Sequence, residues 1–352
     1  MTIETVWRDT ENNYRITRSN RPSEATLKLL GQTIWGSRRT QYRILDIEAK
    51  LARLRDPSFF VLSEDGREVC VFVLDKCRKR ISGQMCDACH FVMASTVPER
   101  QNEGLAGILI EHVRRYCIAA VGKPGLGFAY VEGTTEFSLR LSAQIGHSVE
   151  ADIPITLFTR LFPRNDPQVG LMRPAEADFA LSELDRLYAD HEMTDFAAAL
   201  NPEACFVYRE AGSIIAAAQV ELLKWSVVSI PGVSGAFLMN AMPRIPGLNR
   251  FLDLKELRIL RLSHLFFADR SESALFALLE ACLHAHGSKI GLILLDARSP
   301  VLRRILQTGK MGILSRSISG SAKLRIDVVG MEEDMLTDLR TKPVMVSAAD
   351  VV

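Results

Sequence analysis

The sequence predicts an α/β protein, α+β in its mixed sheets, with its elements laid out twice along the chain. Three observations carry this expectation. Short apolar runs with strand character alternate with amphipathic helical patterns from end to end. At 352 residues the chain is long for one domain and comfortable for two. A polar stretch with two prolines, Pro163-Arg164-Asn165-Asp166-Pro167, reads as a linker between halves of similar layout. The expected domains are 1–163 and 164–330, with 331–352 as a C-terminal tail.

In order, Tyr14 to Thr17 reads as a first strand. A helix from about Pro22 to Trp35 follows, capped by Ser23, and a second from Ile44 to Leu54 ends before Pro57. Phe59 to Leu62 and Val69 to Leu74 flank Glu64-Asp65-Gly66 as a hairpin. Ala88 to Val97 is the next strand. It stops at Pro98, which cannot donate to a ladder. Leu105, Ile108, Leu109, His112, Val113, Tyr116, Cys117 and Ala120 then recur at helical spacing. Phe128 to Val131, a short helix from Thr134 or Thr135 to Gly146, and an extended Ile153 to Leu161 complete the first half. The second half reads as helix 176–191, hairpin 205–223, strand 257–267, helix 271–286, strand 291–296, helix 300–308 and strands to about 329. A loop from Trp225 to Asn249, rich in proline and glycine, is expected to pack at the domain junction and narrow a pocket.

Composition limits the function. Hydrophobic residues make up 47% and charged residues 24%, as in ordinary globular proteins. Lys+Arg 43 against Asp+Glu 42 leaves +1, so no general field favours a nucleic acid or an anionic membrane. The expected partner is a small molecule or a local patch on another protein. No basic segment followed by an apolar stretch opens the chain, no apolar run approaches a membrane span, and the seven cysteines are an odd, scattered set, so a cytoplasmic protein with reduced thiols is expected. No metal is expected either. Cys86-Asp87-Ala88-Cys89-His90 satisfies the haem attachment pattern, but that chemistry requires export, and a lone cysteine pair lacks the second ligand pair of a zinc site.

The most informative stretch is Thr96-Val97-Pro98-Glu99-Arg100-Gln101-Asn102-Glu103-Gly104-Leu105-Ala106, which joins a strand to a helix. A helix start offers unpaired amides and a positive dipole end, and Gly104 and Ala106 let a ligand approach the backbone closely, so the stretch reads as a phosphate cradle.

Strand, Val97-Pro98, Gln101-x-x-Gly104-x-Ala106 and amphipathic helix together resemble the pyrophosphate motif Q/R-x-x-G-x-G/A of the GNAT superfamily of N-acetyltransferases. The order of elements from Tyr14 to Leu161 fits that superfamily as well. Thr134 to His147 looks like its later helix, N-x-x-A-x-x-L-Y-x-x-x-G-F, with Leu141 and Gly146 kept and Thr135, Ser138, Ser142 and His147 replacing Asn, Ala, Tyr and Phe.

The resemblance implies two tandem GNAT-like domains and acetyl-CoA, or a related acyl-CoA, lying in a splay between strands ending near Val97 and Val131. It places the amides of Gln101, Asn102, Glu103, Gly104, Leu105 and Ala106 on the pyrophosphate, an amide near Thr96 or Val97 at the thioester carbonyl, and Thr135 among the cofactor contacts. It implies direct acyl transfer in a ternary complex, without an acyl-enzyme.

His90, on the incoming strand, and Glu132, past the next one, are the candidate general bases. Ser142 stands where many relatives use a tyrosine acid, and no catalytic role is expected of it. In the second half, Arg270-Ser271-Glu272-Ser273-Ala274-Leu275 has Ser where Gly is wanted and Leu where Gly or Ala is wanted, which points to a degenerate copy.

Of the remaining features, Lys76 to Arg80 reads as a solvated basic turn, Trp35 and Tyr42 as packing of an apolar loop, and His284 and His286 as helix-end residues. The expected function is transfer of acetyl from acetyl-CoA to a primary amine of a small molecule. Alternatives are a protein amine as acceptor, a non-catalytic acyl-CoA sensor or scaffold, and decarboxylation of a malonyl-type thioester.

Overall fold

The alternating strand and helix patterns form two compact units in a computed structural model, which describes residues 3–36, 40–132, 136–145, 149–236, 239, 253–312, 315 and 320–347. The first half contains β1 (Ile3–Asp9), β2 (Tyr14–Ser19), α1 (Glu24–Gln32), β3 (Gln41–Ile44), α2 (Ile47–Leu51), β4 (Pro57–Glu64), β5 (Arg67–Ile81), β6 (Gln84–Thr96), α3 (Leu105–Ala120), β7 (Gly125–Glu132) and α4 (Glu136–Ile145). There follow β8 (Val149–Thr159), β9 (Val169–Leu171), α5 (Ala177–Leu187), α6 (Phe196–Ala199), β10 (Cys205–Glu210), β11 (Ser213–Ser229), α7 (Gly232–Ala236) and β12 (Leu257–Phe267). Last come α8 (Glu272–Ala285), β13 (Ile290–Leu294), α9 (Pro300–Gln307), β14 (Ser321–Val329) and α10 (Glu333–Thr341). No helix among the described residues is long and apolar enough to cross a membrane.

Unit 1 comprises Met1–Glu150 and Lys323–Arg340, so β14 from Lys323 onward and most of α10 belong to it; unit 2 comprises Ala151–Ala322 and Thr341–Ala348. In unit 1 the strand order is β1-β2-β4-β5-β6-β7-β14. Neighbours are antiparallel from β1 to β6, and β6 and β7 run parallel. Local signals explain much of it. The Ser23 hydroxyl accepts from the Thr26 amide at 2.9 Å and caps α1. Asp65 and Gly66 both have positive φ, which suits the tight turn joining β4 and β5. Leu105, Leu109, Val113 and Cys117 bury one stripe of α3.

In unit 2 the order is β8-β13-β12-β11-β10-β9, with β12 and β13 parallel. Its core gathers Phe158, Tyr188, Phe266, Phe267, Leu275 and Leu279. Pro163, expected at a boundary, lies within this unit, where its carbonyl is 3.0 Å from Nδ1 of His284.

Several local expectations are corrected. β1 precedes the expected first strand. Gln41–Ile44 is extended and shortens the second helix, because Trp35 and Tyr42 exchange backbone hydrogen bonds of 2.8 and 3.0 Å. The basic run Lys76 to Arg80 is not a solvated turn: it lies inside β5, whose hairpin continues to a turn at Ser82-Gly83. Lys79 is 0% exposed, with Nζ 5.3 Å from the centre of the Phe128 ring. Trp225 to Ser229 continue β11, with Trp225 opposite Leu257, so the expected loop starts later; apart from Met239, its residues from 237 to 249 lie outside the described set.

Candidate active site

β6 and β7 pair from Asp87↔Gly125 to His90↔Phe128. Beyond that pair β6 continues to Thr96 and β7 to Glu132, and the two strands part. A bulge explains the parting. Met93 faces Val73 and Phe91 faces Leu74, so Val92 is an extra residue on β6, and an extra residue bends and twists its strand. The edge of Phe91 to Thr96 that looks toward β7 is thereby left without a ladder.

At the far end of this edge the Val97 amide donates to Val69 O at 2.9 Å, so it is committed to the β5 side. Amides alternate sides along a strand, which directs that of Thr96 toward the gap. The Thr96 carbonyl accepts from Gln101 Nε2 at 3.2 Å. Pro98–Arg100 make one 3₁₀ turn, Asn102 (φ 69) and Gly104 (φ 83) are left-handed, and Leu105 opens α3 without a side-chain cap. A Cβ on Gly104 would meet nothing within 4 Å. The helix start is open, and its first amides have no partner within the helix. Arg100 pairs with Glu64 and donates to Glu103 at 2.6 Å and Tyr14 Oη at 3.4 Å. The Glu103 carboxylate is thereby neutralised beside the cradle.

His90, Phe128, Tyr130 and Glu132 share one sheet face by strand alternation. His90 is 2% exposed; its ring stacks on Phe128 (4.8 Å, 11°) and meets the edge of Tyr130 (5.9 Å, 78°). Glu132 is half-buried at the end of β7, four residues or about 13 Å of strand beyond Phe128. The structure brings His90 against Phe128 and Tyr130 and places Glu132 farther along the same strand face. Burial, and then the charge of Glu132, push the Tyr42 hydroxyl up to about 12. Thr135 lies outside the described residues. Cys86 and Cys89, both buried, fall on opposite faces of β6 by the same alternation.

On the other face, the first residues past the last pair, Phe91 and Ala129, line a narrow crevice with Gly127, Phe128, Ser142, Arg325 and Asp327. Ser142 Oγ donates to Leu139 O at 2.9 Å. Arg325 Nη1 donates to Ser142 Oγ at 2.9 Å and Leu139 O at 3.2 Å, and its Nη2 lies 3.2 Å from Glu150. Arg325 and Asp327 escaped sequence reasoning. They belong to a strand 183 positions beyond Ser142, and no local pattern announces such a pairing.

The corresponding helix start in unit 2 is filled from within. Ser271 precedes α8 without making a side-chain cap, and Glu272 in its first turn accepts from Arg304 at 2.8 and 3.1 Å. That pairing holds the Glu272 carboxyl below its ordinary range.

This architecture has solved counterparts. The N-myristoyltransferase of Saccharomyces cerevisiae with bound myristoyl-CoA matches 89% of this chain and 82% of its own at 9% identity, TM-score 0.59. The same enzyme with myristoyl-CoA and inhibitors matches 97% and 86% at 10% identity, TM-score 0.60. The chain has the tandem GNAT fold. A GCN5-related N-acetyltransferase from Sphaerobacter thermophilus matches 82% of this chain and 86% of its own at 13% identity, TM-score 0.46. No protein-family model and no curated protein matches the sequence.

Proposed function

We propose that this protein is a cytosolic acyl-CoA-dependent N-acyltransferase that moves acetyl from acetyl-CoA to a primary amine of a small molecule by direct attack in a ternary complex. The observation that carries the proposal is the parting of β6 and β7 after His90↔Phe128, leading to a helix start left open at Gly104. An acyl-CoA is an extended arm ending in a diphosphate. The parted strands suit the arm, and the uncapped amides of α3 suit the anion. In this reading the backbone from Gln101 to Ala106 holds the diphosphate and the Thr96 amide serves the arm or its carbonyl.

The crevice at the parting point is narrow and walled by Phe91 and Phe128, so side chains must yield on binding, and we assign the acyl group as a short one. Glu132, half-buried at the rim, is the better placed base for the amine proton. His90, enclosed by Phe128 and Tyr130, is assigned to shaping the acceptor face. The filled start of α8 supports a second copy that binds no acyl-CoA.

The test is release of free thiol from acetyl-CoA and from myristoyl-CoA across an amine panel, with Gly104→Trp as a blocked control. Transfer should favour acetyl-CoA, disappear in Gly104→Trp, and fall by about 10²-fold or more in Glu132→Gln. Faster turnover with myristoyl-CoA would reject the acetyl assignment. Binding without turnover on any amine would favour the sensor.

A further inference from the structure

We propose that Arg325, together with Ser142, receives the thiolate of coenzyme A as the thioester bond breaks. The proposal rests on the acyltransferase reading above and adds to it a group that the chain supplies from β14. The geometry begins with an unused donor. A guanidinium has five N–H groups in a fixed plane. In Arg325, Nη1 serves Leu139 O and Ser142 Oγ, and Nη2 faces Glu150. The side chain is 14% exposed, and its Nε is buried with no hydrogen-bond partner among the described residues. Buried donors are nearly always satisfied, so an unused one in the wall of a crevice points to an acceptor that arrives with a ligand.

The crevice lies where an acyl-CoA would place its sulfur. Phe91 and Ala129 in its wall are the first residues past the last paired positions of β6 and β7. From Phe91 to Thr96 is five residues, about 17 Å of strand, the scale of an extended pantetheine arm reaching back to the cradle. The Ser142 hydroxyl can rotate from Leu139 O toward the incoming sulfur while still accepting from Arg325.

In the step itself, the amine lone pair forms the C–N bond. The C–S bond then breaks with its electron pair on sulfur. The proton lost from nitrogen passes to the base, and the thiolate departs to be protonated from solvent. Acyl-CoA and amine become amide and CoASH. A cation at the sulfur lowers the barrier to the middle event because charge develops there.

The other charged and titratable groups around the crevice are Asp327 on β14, which faces Arg114 of α3 at 3.6 Å, Glu150 at the start of β8, which pairs with Lys323 at 3.0 Å, and the thiols of Cys89 and Cys117. Three cations, Arg114, Lys323 and Arg325, face two carboxylates, Asp327 and Glu150, so the cluster carries one excess positive charge.

The experiment is an ultraviolet titration of the thiolate of CoA bound to the full chain, compared with free CoA, in wild type, Ser142→Ala, Arg325→Lys and Arg325→Gln. The bound thiol should titrate about one unit or more below free CoA, a tenfold gain in thiolate at a given pH. Ser142→Ala should lose part of the shift and Arg325→Gln all of it, while desulfo-CoA binds every folded variant alike. In turnover, Arg325→Gln should lower kcat about 10²-fold with little change in the KM of acetyl-CoA.

A wild-type bound thiol that titrates like free CoA overturns the proposal without recourse to any variant. An unchanged shift in Ser142→Ala overturns it even if Arg325→Gln fails to fold. Failure of the wild-type chain to bind CoA at all overturns the acyltransferase reading as well, and so separates the two.

Discussion

Gly104 offers the sharpest test of the cradle, because backbone strain and ligand exclusion there can be separated. Its φ of +83° lies in the left-handed region, and a Cβ added to it meets nothing within 4 Å. Any cost to the folded chain is therefore conformational rather than steric. For Gly104→Ala that cost is about 1–2 kcal/mol, which lowers the melting transition of unit 1 by about 2–8 °C. Asn tolerates this region better, so Gly104→Asn should recover much of the loss. Binding should behave differently. Both side chains place atoms in the open space before the uncapped amides of α3, where the diphosphate would lie. Both should weaken acetyl-CoA binding by at least about tenfold, or about 1.4 kcal/mol. Calorimetric scans report the first effect and isothermal titration the second. If both variants bind acetyl-CoA within twofold of wild type while melting in the predicted order, the turn is a structural feature only and the cradle assignment is wrong.

Other predictions address the packing of each unit. Burial holds the His191 imidazole down to about 4 from 6.5, so it stays neutral in the fold while the unfolded chain takes up a proton as pH falls below 6.5. Unit 2 should be indifferent to this group above pH 6.5 and lose up to about 3 kcal/mol on the way to pH 4; denaturation against pH should flatten in His191→Gln. Glu176 is held down to about 2 from 4.5 by Arg209 and, secondarily, Arg173, so its contribution is present above pH 4.5 and fades as pH falls toward 2. Arg209→Gln should reduce the acid sensitivity of unit 2 in that window. Lys79→Ala removes a buried ammonium from over the Phe128 ring and should cost about 2 kcal/mol or more, read as a lower melting transition of unit 1.

What the sequence showed depended on how local the cause was. The α1 cap at Ser23, the Asp65-Gly66 turn and the apolar stripe of α3 are each decided within a few residues, and all were readable. Lys79 was misread because charge predicts solvent, whereas here a long hairpin carries the residue past the surface and an aromatic face takes the ammonium. β1 was missed because it is an edge strand, with Ile3 60% exposed, so it lacks the buried alternation that marks inner strands. At the candidate site, the strand–turn–helix backbone around Gly104 was legible from proline, glycine and helical period. The bulge at Val92 was not, since no residue type demands it and only the pairing with β5 reveals it. Nor was the crevice wall, because Ser142 meets Arg325 through a strand pairing that no window of sequence contains.

The two helix starts differ in ways that bear on the proposed anion site. Both α3 and α8 follow a strand that turns abruptly, and both expose the positive end of a helix dipole. At α3 the turn residue is a glycine with open space before it, and the nearby Glu103 is drawn aside by Arg100, which Glu64 also holds. At α8 the chain supplies its own anion: Glu272 lies in the first turn, and Arg304 pins it there while also reaching Asp269 at 3.5 Å. An incoming diphosphate would have to displace a carboxylate that is already paired, and it would meet the buried Leu275 where α3 has the small, buried Ala106. The difference is thus one of occupancy rather than of fold. Removing the internal anion alone, as in Glu272→Ala, would still leave Leu275 in the way, so it should not create a second acyl-CoA site even though it releases Arg304 from Glu272.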